Sequence, residues 1–380
     1  MFSGKPKALA EQRRRLRLAA KRVGGQDNSA PPRNHLKEPL MIRSLSLMLI
    51  LAVAMPLCAD DPKPKQPEKK KPDNPAFVED FKAGPDVAIQ GEYVDTASDE
   101  KLAAQVIADG DGQFTIKGFH GGLPGAGWDG KAAKEWKGKL EDGKVKFGDD
   151  HGQAVIADGK ITVTVGDKTM TLNRTVRKSA TEGAKPPEGA LVLFDGTNLD
   201  QWTKMDGKSP PSWVVEGGYA LVRGGDVVSK AKFNGPHTIH VEFNLPFMPK
   251  GRGQGRANSG VYVQNRYEVQ VLDSFGLKGL NNECGGIYSQ IAPKVNMCYP
   301  PLQWQTYDID VTPAKYEGGK KVSNTRVTVK HNGVLIHEDA EVKGPTGGGV
   351  AEDESPQGIR LQDHGNPMRF RNIWVVEKKG

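Results

Sequence analysis

Tyr267-Glu268-Val269-Gln270-Val271-Leu272-Asp273 is a stretch in which polar and apolar side chains alternate. On an extended strand alternate side chains share a face, so Glu268 and Gln270 point one way while Val269 and Val271 point the other. If the strand lines the concave side of a sheet, Glu268 and Gln270 face the cleft, and a bulge after Gln270 brings Asp273 there too. Carboxylates and an amide strung along one strand suit acid/base work on a sugar. They equally suit a half-exposed strand whose polar face meets only water, and the surroundings have to decide between the two.

Outward from this strand the pattern stays β-rich. After a linker expected at 179–189, short strand-like runs follow one another at Leu191–Phe194, Trp213–Glu216, Tyr219–Val222, His237–Leu245, Ser259–Gln264, Gln305–Val311, Asn324–His331, Val334–Glu338, Gly358–Gln362 and Phe370–Glu377. Helical periodicity is almost absent from 190–378, and so many short strands separated by turns imply a two-sheet sandwich. The segment 77–178 also reads as β, with runs such as Gln113–Lys117 and Lys160–Val165 separated by Asp111-Gly112, Asp142-Gly143 and Asp158-Gly159 at hairpin spacing. This is a smaller antiparallel β domain, expected to act as an accessory module. The fold class expected for the whole chain is all-β.

The formal charge of +7 is misleading until it is located. Residues 1–40 hold ten Lys/Arg against Glu11, Asp27 and Glu38, so the rest of the chain is neutral. Met41, Arg43, an apolar run Leu45–Met55 broken only by Ser46, and the polar boundary at Asp60 and Asp61 have the layout of a bacterial signal peptide with cleavage after Ala59. Residues 1–40 are then expected to reflect an upstream start codon, with a long basic leader as the alternative. The mature chain would carry 42 Lys/Arg and 43 Asp/Glu and be secreted or periplasmic, which argues against nucleic-acid binding. The apolar run is short for a membrane span, which needs about 20 residues. Cys58 raises a lipoprotein alternative, disfavoured by bulky Pro56 and Leu57. The Pro/Lys-rich tract at 60–76 reads as a tether. Cys284 and Cys298 would remain as either a disulfide or two buried thiols.

Several motifs of the second half carry a resemblance when taken in order. They are Leu193-Phe194-Asp195-Gly196-Thr197-Asn198-Leu199-Asp200-Gln201-Trp202, Trp213-Val214-Val215-Glu216-Gly217-Gly218-Tyr219, Ala257-Asn258-Ser259-Gly260-Val261-Tyr262-Val263, the 267–273 strand, Gly285-Gly286-Ile287-Tyr288, Gly358-Ile359-Arg360-Leu361-Gln362-Asp363-His364 and Phe370-Arg371-Asn372-Ile373. Over about 189–378 the chain resembles the 3-keto-disaccharide hydrolase family. The resemblance implies a concanavalin-like jelly-roll sandwich, similar to that of β-glucanases whose Glu-x-Asp-x-x-Glu strand supplies nucleophile and acid/base. Here Gln270 replaces the middle carboxylate and Asp273 is one methylene shorter than Glu, which weakens a glucanase reading. Retaining double displacement needs two carboxylates about 5–5.5 Å apart.

A ketone at C3 of a sugar acidifies the C2 proton, so a single base can start elimination of the C1 substituent, and hydration of the enone completes a net hydrolysis. On this reading Glu268 or Asp273 is the base and His364 the acid or relay. Arg360, Arg369 or Arg371 would hold the enolate or a hydroxyl. Asn258 and Ser259 beside Gly260 would meet sugar hydroxyls, as would Gln270, Tyr288, Gln362 and Asp363, and Trp304 is the best candidate for a sugar platform. Glu268, Asp273, Asp363 and His364 would be the donors of a divalent site for Ca, Mn or Mg, although no cofactor is compelled by their spacing. The partner expected is a carbohydrate, and the alternatives are a non-catalytic lectin-like protein or a glucanase-like hydrolase of unoxidised glycans.

Overall fold

A computed structural model describes residues 74–97, 101–131 and 134–378, which lie in one compact unit spanning 69–380. The expected leader at 1–40, the signal segment at 41–59 with Cys58, and all but the last three residues of the 60–76 tract fall outside the described residues. No helix among those described is long and apolar enough to cross a membrane.

The first half forms a closed eight-stranded barrel. A short helix α1 (Pro85–Ile89) leads into β1 (Gly91–Asp95), β2 (Ala103–Gly110), β3 (Gln113–Phe119), β4 (Lys134–Glu141), β5 (Lys144–Asp149), β6 (Gly152–Ala157), β7 (Lys160–Val165) and β8 (Lys168–Thr175). Each strand pairs antiparallel with the next, and β1 pairs with β8 to close the ring. The Asp-Gly pairs at 111–112, 142–143 and 158–159 all have positive φ at both residues, as two-residue hairpins matched to strand twist require. Tyr93, Val106, Phe114, Phe147, Ile156, Ile161 and Leu172 fill the interior. Strands β1 and β4 escape sequence reading, β4 because Gly138 and three lysines dilute the alternation of Trp136 and Leu140.

The second half is the expected sandwich. Its strands are β9 (Leu191–Phe194), β10 (Trp202–Lys204), β11 (Val214–Glu216), β12 (Tyr219–Leu221), β13 (Val227–Ser229), β14 (His237–Asn244), β15 (Asn258–Val263), β16 (Tyr267–Leu272), β17 (Trp304–Thr312), β18 (Lys315–Glu317), β19 (Lys320–Ser323), β20 (Thr325–His331), β21 (Val334–Val342), β22 (Arg360–Leu361) and β23 (Arg369–Glu377). One sheet runs β10-β13-β22-β15-β16, and the other runs β11-β12-β23-β14-β17-β20-β21 with β9 paired to β23. Between them Val261, Val263, Val269 and Val271 meet the cluster that holds Ile239, Val241, Phe243, Tyr307 and Ile309. Burying a valine is worth about 1.5 kcal/mol or more, so a one-residue slip that turned all four outward would cost about 6 kcal/mol. That burial fixes which way Glu268 and Gln270 point.

The segment 179–189, a linker by composition, is instead tied to the eight-stranded sheet. Ser179 Oγ and Thr181 Oγ1 lie 2.6 and 2.8 Å from Thr306 Oγ1, Thr181 Oγ1 donates to Asp308 Oδ2 at 2.7 Å, and the Gly183 amide donates to Glu242 Oε1 at 2.6 Å. Just before it, Arg177 pairs through Nη2 with buried Glu92 of the barrel at 2.5 Å and lies over the Tyr299 ring of the sandwich. Cys284 and Cys298 are buried free thiols. His237, His240, His331 and His337 are buried as well. All four bond protein partners through a ring nitrogen, His237 to the Gly235 carbonyl, His240 to Asp308, His331 to Gln305 and His337 to the Gly285 carbonyl, as satisfied core histidines do.

Candidate active site

The face of the five-stranded sheet turned away from the core carries a cavity of about 290 Å³. Strands β15 and β16 build its floor because their register sets Gly260 opposite Gln270 and Tyr262 opposite Glu268. Positions 258, 260 and 262 share a face by the two-residue period, and that face meets the one bearing 268 and 270. Asn258, Tyr262, Glu268, Gln270, Tyr288, Gln362 and His364 all line the cavity, together with Gln254, Gly347 and Gly348.

Glu268 is its chemical centre. The side chain is 3% exposed, and burial raises its carboxyl from 4.5 to about 7 against the opposing pull of the Tyr262 hydrogen bond and the Arg360 charge. Tyr262 Oη donates to Glu268 Oε2 at 2.9 Å and lies at the same distance from the Gly347 carbonyl. Burial, reinforced by the Glu268 charge, pushes the Tyr262 hydroxyl up, so it keeps its proton. The geometry serves both states of the acid. An ionised Glu268 takes the Tyr262 proton, whereas a protonated Glu268 donates to Oη while the tyrosine turns to Gly347.

Supporting groups hold this pair. The Arg360 guanidinium lies 3.5 Å from the Tyr262 ring centroid, donates to the Gly348 carbonyl at 2.9 Å and sits 3.5 Å from Asp226. Arg360 is thus a positioning residue beneath the cavity wall. Gln362 Nε2 reaches Tyr262 Oη at 3.3 Å, and Ser259 Oγ donates to the Gln362 carbonyl at 2.6 Å, so Ser259 anchors the neighbouring strand and does not face the cavity. Gln254 joins two lining amides, since its Oε1 accepts from Gln270 at 3.0 Å and from Asn258 at 3.2 Å. Asn258 Oδ1 is buried with no protein partner. Gly260 is required by crowding: a Cβ there would overlap the Glu268 carboxylate oxygen and lie 2.9 Å from its carboxyl carbon.

Other expected site residues lie elsewhere. Asp273 does not turn inward, because β15 and β16 pair without a bulge and position 273 keeps the parity of Val269 and Val271. It is buried and paired to Arg256 at 2.9 Å. Trp304, Arg369 and Arg371 belong to the opposite sheet, on β17 and β23. There Arg371 stacks 3.9 Å over Trp304 and binds Glu242 and Glu182, while Arg369 lies over Tyr219. Asp363 ties a loop by accepting from the Gly225 amide at 2.8 Å, and only its neighbour His364 reaches the cavity rim. Among the described residues no three His, Cys, Asp or Glu side chains gather as metal donors, so Glu268, Asp273, Asp363 and His364 do not form the divalent site expected of them.

Tyr262, Gln254, Gly347 and Gly348 were missed by sequence reading. Tyr262 had a signal, as it shares the parity of Asn258 in a strand adjacent to Glu268. The other three arrive on loops whose position depends on the tertiary fold.

Among curated proteins none matches the chain. Solved structures similar to it include three proteins of Parabacteroides distasonis ATCC 8503, provisionally named glycosyl hydrolases. The first is 34% identical, covers 50% of this chain and 85% of its own, and has a TM-score of 0.47. The other two are 19% identical, cover 54% and 50% of this chain and 99% of their own, and have TM-scores of 0.38 and 0.35. The sequence profile of one family, the 3-keto-alpha-glucoside-1,2-lyase-like domain, matches residues 189–376, a span that contains both sheets and every wall of the cavity. By that match, the chain belongs to the 3-keto-alpha-glucoside-1,2-lyase-like domain family.

Proposed function

We propose that the sandwich cleaves 3-keto-glycosides, with Glu268 as the base that takes the C2 proton. The observation that carries this reading is that, among the described residues, Glu268 is the only carboxylate lining the cavity. Double displacement needs a second carboxylate about 5–5.5 Å away, and elimination next to a ketone does not. A carboxyl with its pKa at about 7 is a stronger base than an ordinary glutamate and is still half ionised at neutral pH.

In the proposed reaction the C2–H electron pair forms the C2–C3 double bond of an enolate as Glu268 takes the proton. The enolate then re-forms the ketone, closes the C1–C2 double bond and expels the C1 oxygen, which takes a proton from His364 at the rim. Once the C1 group has left and water has entered, the proton on Glu268 exchanges with solvent; water then adds to C1 of the enone and gives its proton to His364, and Glu268 protonates C2. The net change is hydrolysis. The unpartnered Asn258 Oδ1 is an acceptor for a sugar hydroxyl, and Gln270, Gln362 and Tyr288 supply further polar contacts. A lectin would need the amides and Tyr288 but has no use for a carboxyl poised at neutrality, which favours the enzyme.

The leader pattern at 41–59 supports export, and N-terminal sequencing of secreted protein should begin at Asp60. The function is tested by incubating wild-type protein and Glu268→Gln with 3-keto and unoxidised disaccharides. Release of monosaccharide from the keto substrate alone, lost in the variant, is expected. Equal cleavage of the unoxidised sugar, or full activity of the variant, overturns the reading.

A further inference from the structure

The barrel contains a second cavity, of about 400 Å³, unrelated to the sandwich site. At one end the barrel is stoppered, since Val87 and Ile89 around helix α1, Phe247 and Leu302 pack against its core. At the other end, where β4 and β8 begin, inward-facing Ile116, Trp136, Val163, Met170 and Leu172 surround open space. Val165, also inward by parity, is 46% exposed. Apolar side chains kept out of contact inside a barrel forgo stabilisation that a slightly larger neighbour would supply.

Gly118 supplies a separate indication. It lies within strand β3 and faces the cavity, where glycine weakens a strand and brings no packing of its own. Neither its backbone nor its surroundings require glycine. Its φ is not positive, and a Cβ would meet only the Lys134 carbonyl oxygen at 3.9 Å. A larger residue could therefore fill the mouth, and the chain leaves it open.

The charges at the mouth point to the kind of occupant. Among the described lining residues Lys134 and Lys168 carry charge, with His120 beside them, and none is a carboxylate. Lys134 lies 4.7 Å over the Trp136 ring and 3.3 Å from Asp149, a geometry that holds the ammonium at the rim. Eight-stranded barrels are wide enough for one small ligand, and this volume falls in the range of about 300–1,000 Å³ typical of small-molecule sites. We propose that the barrel mouth binds a small aromatic carboxylate, its ring between Trp136 and Met170 and its acid group at Lys134 and Lys168.

The full chain should be titrated by calorimetry with 2-naphthoate and with uncharged 2-naphthylmethanol. Saturable one-to-one binding of naphthoate is expected. Filling the cavity by Gly118→Leu or Met170→Trp should weaken it at least about tenfold, which is about 1.4 kcal/mol. Lys134→Met with Lys168→Met should weaken naphthoate about tenfold and leave naphthylmethanol nearly unchanged. Absence of saturable binding, equal affinity of the wild-type chain for acid and alcohol, or unchanged binding in a folded cavity-filling variant overturns the proposal. The wild-type comparison of the two probes decides the matter even if a filling variant does not fold.

Discussion

Replacing Glu268 by Gln should make the protein more stable at alkaline pH even as it removes the proposed base. In the folded chain the carboxyl is raised from 4.5 to about 7 by burial, while in the unfolded chain it titrates near its ordinary value. Because the folded state holds its proton more tightly, the stability linked to this group is fully present below pH 4.5 and is lost as pH rises through 7. At about 1.4 kcal/mol per pH unit, the difference comes to about 3 kcal/mol by pH 8. Glutamine has no proton to lose, and its amide can donate to Tyr262 as the protonated acid does. Urea unfolding of wild type and Glu268→Gln at pH 4.5 and pH 8 reads the effect as the change in their stability gap between the two pH values. The gap should move by about 3 kcal/mol in favour of the variant. A gap that stays constant would mean that burial does not raise this carboxyl, and the argument for a base poised at neutrality would fail.

Three further outcomes follow from the same contacts. Gly260→Ala forces the Glu268 carboxylate to move, and misplacement of a reacting group by about 1 Å costs on the order of 100-fold in kcat/KM, measurable on a 3-keto disaccharide. Tyr262→Phe removes a hydrogen bond that holds the Glu268 pKa down, so the rise of kcat/KM with pH should shift to higher pH, as a pH–rate profile would record. Asp273→Asn breaks a buried ion pair with Arg256 and should cost about 3–5 kcal/mol in denaturant unfolding, with kcat per folded molecule little changed.

The parts of the site legible in the sequence were those fixed by local parity. Alternation alone puts Glu268 and Gln270 on one face, and the four buried valines of β15 and β16 enforce it. Asp273 was misread because the bulge expected after Gln270 is a feature of strand pairing, and the continuous register of β15 with β16 excludes it. Trp304, Arg369 and Arg371 have the composition of a sugar site, but β17 and β23 pair with β14 in the other sheet, a long-range choice with no local mark. The 179–189 segment has the polar, Pro-containing composition of a free linker because its partners, Glu242, Thr306 and Asp308, lie 59 to 127 residues away in sequence. The barrel's turns were visible as Asp-Gly pairs, whereas its closure depends on β1 meeting β8.

The claim that Glu268 removes the C2 proton is tested most directly by running the cleavage in D2O and locating deuterium in the released 3-keto sugar by NMR at early times. Glu268→Gln and free product serve as controls for spontaneous exchange. Elimination followed by hydration predicts one deuterium at C2 of product formed by the wild-type enzyme, above the level exchanged in the controls. Product that retains its original C2 hydrogen would contradict elimination through a Glu268 that exchanges its proton with solvent, and would favour direct displacement at C1.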